Sequence, residues 1–124
     1  IFGFKLASDR EMDEFETILD HEMGKSTLCD PDKLGAPENR SGFYSMIKTV
    51  QSFNSAKDIR PKLKNCTIPA LIMRGQCDGI KWGFVTEFFG LFTNHRFIIV
   101  PGAGHSFLRE QPELYINNIL EFLN

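Results

Sequence analysis

Met12, Phe15, Leu19 and Met23 recur three and four residues apart, the spacing that gathers apolar side chains on one face of a helix. Ser8 and Glu11 stand ahead of them in the arrangement of a capping box, in which each side chain satisfies the other's backbone donor. A helix is therefore predicted from about Ser8, with Gly24 placed to end it in the left-handed conformation. Its acids Glu11, Asp13, Glu14, Glu16 and Asp20 lie mostly off the apolar face, as on a solvated surface. The stretch 25–41 holds Pro31, Gly35 and Pro37 among Asp and Asn residues and reads as a loop. Phe43, Met46, Ile47, Val50 and Phe53 return to helical spacing and predict a second amphipathic helix over 42–55.

The pattern changes at Asp58, which divides the chain into a helical segment, 1–57, and a mixed segment, 58–124. After Lys62, Lys64 and Asn65, the run Ile68 to Met73, closed by Arg74-Gly75, has the length and flanks of a buried strand. Trp82, Val85, Phe88, Phe89 and Phe92 keep helical spacing beyond a break at Gly79. Arg96 to Val100 is a continuous, β-branched run typical of a parallel strand covered on both faces, and it stops at Pro101-Gly102. A last helix starts near Pro112 and turns Ile116, Ile119, Leu120 and Leu123 inward. Two strands joined by a helical crossover imply an adjacent parallel pair, so the fold class is α/β.

Composition narrows the function. Apolar types make up 42% of the 124 residues, enough for one core, and a formal charge of −2 argues against a nucleic-acid binder working by bulk charge. No apolar run approaches the roughly 18 residues of a membrane span, and Ile1 to Lys5 has no basic leader with a long apolar segment. The absence of an initial Met reads as a fragment. Cys29, Cys66 and Cys77 are odd in number, without C-x-x-C spacing or paired histidines, so no metal site is expected and reduced thiols in a cytoplasmic protein are. Cys77 is expected to be a packed thiol.

The candidate chemistry follows the two strands. Gly75-Gln76-Cys77-Asp78 leaves the first, and Gly102-Ala103-Gly104-His105-Ser106 leaves the second. In an open α/β sheet the carboxyl ends of the strands border the ligand crevice, so Asp78 and His105 are expected to approach each other there. A carboxylate accepting from one imidazole nitrogen fixes the tautomer and frees the other nitrogen to take a proton from a nucleophile. As ordinary residues, Asp78 would be a turn former and His105 a loop histidine.

On these two motifs the chain resembles the α/β-hydrolase superfamily, in its C-terminal half. The line from Ile68 to Asp78 is similar to the strand and loop presenting the family's catalytic acid. Pro101 to Ser106, followed by Glu110-Gln111-Pro112-Glu113 and a helix, is similar to the loop presenting its catalytic His. The resemblance covers Asp58 to Asn124, whereas 1–57 is similar only in general character to the helical cap many such hydrolases carry. A narrower likeness, to proline iminopeptidase-like members, rests on the Gly-His-Ser run and the nearby Glu. The resemblance implies catalytic Asp78 and His105, an acyl-enzyme route, no organic cofactor or metal, and a small-molecule or peptide substrate bound by residues the sequence leaves unassigned.

The family's G-x-S-x-G nucleophile elbow is absent. Gly24-Lys25-Ser26-Thr27-Leu28 ends on Leu28 where a Gly belongs and follows a predicted helix instead of a strand, and Leu19 stands where a phosphate loop would open with Gly. The nucleophile and oxyanion donors are therefore expected in an N-terminal half outside this chain, and the chain alone is expected to be inactive. A two-stranded sheet with many phenylalanines, 12 in all, is also expected to pair through its open edge, with that half or with a second copy. The aromatic stripes are expected to be core faces, and His21 and His95 surface and loop residues. The alternative of another class is a non-catalytic binding or signalling protein that keeps the hydrolase-like pocket.

Overall fold

A computed structural model of the chain describes residues 7–39, 41–64 and 66–124. The Ile1 to Lys5 stretch and Asn65 discussed above lie outside them. The chain divides into two compact units, Ile1–Met23 with Gly35–Lys57, and Gly24–Leu34 with Asp58–Asn124.

In the first unit, helix α1 (Asp9–Lys25, its last residues belonging to the second unit) opens on the expected capping box. The Ser8 N–H donates to Glu11 Oε2 at 2.8 Å, and the Glu11 N–H to Ser8 Oγ at 3.3 Å. The Ser8 hydroxyl and amide hold the Glu11 carboxyl below its ordinary pKa. Helix α2 (Phe43–Phe53) starts after Gly42, whose φ of 92° is the left-handed region and which brings no capping side chain. Asp13 supplies the cap from α1, its Oδ1 accepting from the N–H groups of Gly42 (3.0 Å) and Phe43 (2.9 Å). The α1 stripe is not the buried face its spacing predicts, since Phe15, Leu19 and Met23 are exposed.

The helix also runs past its predicted stop. Gly24 stays helical, and a Cβ there would press on the Leu34 side chain at 3.2 Å, so this Gly serves a close approach instead of a left-handed cap. The predicted loop contains a 3-10 turn, Pro31–Leu34.

The second unit holds α3 (Arg60–Leu63), β1 (Ala70–Gly75), α4 (Trp82–Leu91), β2 (His95–Val100), α5 (Phe107–Glu110) and α6 (Pro112–Leu123). Strands β1 and β2 are adjacent and parallel as predicted, in register from Ala70 opposite His95 to Gly75 opposite Val100. β1 begins two residues later than predicted because Pro69 has no N–H to give the ladder. Trp82 and Phe89 of α4 pack edge-on against Phe97 of β2, at 6.0 and 5.1 Å between centroids. His95 is the first residue of β2, not a loop residue; its ring stacks on Phe89 at 4.8 Å.

Cover on both faces, expected of a parallel strand, is incomplete. Val100, Ala103, Leu91 and Leu28 are buried, but Ile99 is 47% exposed, and Ile116, Leu120 and Leu123 of α6 face out. Two strands offer too little sheet for that helix to cover. Among the described residues no helix is long and apolar enough to cross a membrane.

Candidate active site

The ends of β1 and β2 continue side by side into their loops. The Gln76 N–H donates to the Val100 carbonyl at 3.0 Å and the Cys77 N–H to the Ala103 carbonyl at 2.9 Å, extending the contact beyond the ladder. Two glycines permit this. A Cβ on Gly75 would collide with the backbone of Ala103 and Gly104, and one on Gly104 with the backbone of Thr27 and Leu28. Three backbone segments thus stack where side chains would hold them apart.

On this platform Asp78 and His105 meet. His105 Nδ1 lies 3.1 Å from Asp78 Oδ2, while Asp78 Oδ1 accepts from the Ile80 N–H at 2.9 Å. The carboxylate therefore uses its two oxygens separately, one to close its own turn and one on the imidazole. The Asp78 side chain is 8% exposed and that of His105 is 55% exposed, an arrangement with a sheltered anion behind an accessible ring. Burial, the strongest influence, pushes the Asp78 carboxyl up. The Ile80 N–H, the His105 ring and the Arg74 charge together outweigh it and leave the carboxyl below its ordinary value. An ionised Asp78 accepts from Nδ1–H, which leaves Nε2 as the proton acceptor.

Two buried charges flank the pair, and sequence pattern singled out neither for this role. Arg74, at the end of β1, donates from Nη2 to the carbonyls of Asp78 (2.6 Å) and Ile80 (2.5 Å) and lies 4.4 Å above the Trp82 ring. Glu110, in α5, accepts from the Gly104 N–H at 2.5 Å and from the Asp30 N–H at 2.9 Å. Glu110 ties the loop of His105 to the segment 24–34.

That segment supplies the main correction to the sequence-based expectations. Cys29 and Cys77, expected as reduced thiols, form a disulfide with Cα atoms 5.3 Å apart, and Cys66 stays free. The carbonyl of Thr27 accepts from the His105 N–H at 2.6 Å, so the strap touches the His loop and is bonded to the residue beside Asp78. Spacing along the chain could not reveal this, because 48 residues separate the two cysteines. The odd cysteine count points the other way, toward reduced thiols, so no local signal carries the bridge.

Two cavities open at the pair. One, of about 420 Å³, is walled by Ile72, Met73, Ile80, Phe84, Val85 and Phe88, with Arg74, Asp78 and His105 as its polar groups. Phe84 and Phe88 are thus cavity walls instead of core. The other, of about 370 Å³, joins Ser26 and Thr27 to Asp78, Gly79, Ile80 and His105. Ser26 does not sit in an elbow, since the Thr27 N–H donates to the Gly24 carbonyl at 3.0 Å in the turn that ends α1. The amide that would stabilise an oxyanion is occupied. Among the described residues no group of His, Cys, Asp and Glu stands close enough to hold a metal ion.

Among solved structures, MenH from S. aureus matches 93% of this chain with a TM-score of 0.66 at 19% identity, over 48% of its own length. A His-tagged serine hydrolase involved in carbazole degradation, the CarC enzyme, matches 65% of this chain with a TM-score of 0.54 at 21% identity, over 32% of its own length. The chain carries part of the α/β-hydrolase fold. It spans about half or less of these α/β-hydrolase neighbours, and its parallel strands match theirs. No protein-family model matches the sequence, and no curated protein matches it.

Proposed function

We propose that the chain is the acid-and-base part of a serine-type α/β hydrolase whose nucleophile lies in an upstream half. The observation that carries this is the 3.1 Å contact between His105 Nδ1 and Asp78 Oδ2 at the carboxyl ends of adjacent parallel strands. Asp78 orients the ring and stabilises the imidazolium. His105 Nε2 takes the proton of an upstream serine as it attacks an acyl carbon, then gives it to the leaving group, and repeats the cycle with water. The substrate is an ester, an amide or an N-terminal peptide bond, with a prolyl aminopeptidase as the narrower choice. The apolar cavity beside the pair supports an apolar acyl or side-chain group.

In this proposal the expected cap, 1–57, is cut to 1–23 and 35–57, because 24–34 belongs with the second unit, and the open sheet edge pairs with the upstream half or, without it, with a second copy. A cytoplasmic location requires the Cys29–Cys77 bridge to be opened by thiol exchange, because cytosolic thiols are kept reduced. Alkylation of native protein on lysis separates the cases: three free thiols fit the cytoplasm, and a bridged pair an oxidising compartment.

The test is complementation. The chain, the upstream half and their mixture are assayed on a series of acyl esters and a prolyl amide, with sedimentation of each. Turnover by the mixture alone supports the proposal. Turnover by the chain alone overturns the divided site, and a folded mixture inert on every substrate favours a non-catalytic binding protein with the same pocket.

A further inference from the structure

Among the described residues three charged residues are buried as a whole, Glu16, Arg74 and Glu110, and of these Arg74 donates to the backbone of Asp78 itself. We propose that Arg74 is a positioning residue: its buried guanidinium, laid over Trp82 and clasping the carbonyls of Asp78 and Ile80, holds the Asp78 carboxylate against His105. This rests on Asp78 and His105 being the acid and base of a hydrolase.

A cation is an expensive choice for this position. Its strand neighbours Ile72 and Met73 are apolar, and the residue is 6% exposed. Its Nη1 is buried without a hydrogen-bond partner, a loss that is larger for a charged donor than for a neutral one. An apolar side chain of similar volume would avoid that cost. What it could not do is close the turn. Arg74 Nη2 binds the carbonyls of both residues that define the Asp78 turn, and Asp78 Oδ1 binds the Ile80 N–H. The Ile80 residue is thus held at its N–H by the acid and at its carbonyl by the guanidinium. With Oδ1 committed, Oδ2 has one direction left, toward Nδ1 of His105. The guanidinium carbon lies over the Trp82 ring, 4.4 Å from its centroid, a contact that a compact, strongly hydrated ammonium fits less well. Arg74 also acts by charge, opposing the burial that pushes Asp78 up.

The test compares the 124-residue chain with Arg74→Met and Arg74→Lys. Carbon-13 titration of the Asp78 carboxyl and nitrogen-15 spectra of the His105 ring are recorded after circular dichroism has confirmed folding. Arg74→Met is expected to raise the Asp78 pKa and to lose the Nδ1–H hydrogen-bond signature. Arg74→Lys is expected to keep Asp78 low but to weaken the signature. A folded Arg74→Met with both unchanged overturns the proposal; should Arg74→Met not fold, a folded Arg74→Lys with a full signature overturns it equally. In the complete enzyme, misplacing the acid should lower kcat about 10- to 100-fold with little change in KM. An inactive wild type would refute the hydrolase assignment while leaving the spectral comparison intact, and an active wild type with equally active variants would refute only the role of Arg74.

Discussion

Opening the Cys29–Cys77 bridge removes the only covalent tie between the segment 24–34 and the Asp78 loop other than the chain itself. The loop it closes spans 48 residues. In the chain-entropy description, such a closure restricts the unfolded chain by about 4 kcal/mol at 25 °C. The Cys29→Ser/Cys77→Ser variant, in a Cys66→Ser background to prevent exchange, should lose about that much stability. With a urea slope of about 1–2 kcal/mol per molar, the midpoint falls by about 2–4 M. Trp82, the one tryptophan, lies in the same unit as the bridge and reports its unfolding by fluorescence. Peptide mapping without reductant should first show Cys29 and Cys77 in one fragment pair. Equal midpoints for the mapped, bridged protein and the variant would mean that the bridge does not restrict the unfolded chain.

Other perturbations are as specific. Gly75→Ala and Gly104→Ala drive a Cβ into backbone atoms that cannot yield, so each should lower the melting temperature by the equivalent of about 1–3 kcal/mol or more and loosen the Asp78–His105 contact seen in His105 ring spectra. Ser8→Ala breaks the capping box of α1 and should cost about 1 kcal/mol in urea unfolding, with no effect on those spectra. The Asp78 carboxyl is lowered in the folded chain, against burial, by the Ile80 N–H, His105 and Arg74. Its stabilising contribution is therefore present above the ordinary carboxylate pKa and lost as pH falls through the lowered value. Asp78→Asn should be less stable than wild type near neutrality, and the gap should close in acid.

The strands and the two motifs were legible because hydrophobic runs and glycine-rich loops are local signals. The parallel pairing of β1 and β2 followed from the crossover length, with Pro69 delaying the start of β1 and His95 joining β2 one residue early. The approach of Asp78 to His105 was likewise contained in the order of strand and loop. What escaped depends on contacts distant in sequence. Arg74 and Glu110 look like surface residues until their backbone partners are known, since a charge's burial is set by what surrounds it. The bridge joins a segment read as a plain loop to one read as a strand end. The stripes of α1 and α6 show the converse limit: periodicity predicts an apolar face, and another surface must exist to bury it.

If His105, held by Asp78, is the general base of a hydrolase, kcat/KM of the complete protein against His105→Ala reads that role without an intermediary. With the substrate turned over fastest, a loss of about 10⁴-fold is expected. A His105→Ala protein that retained wild-type kcat/KM would contradict the assignment.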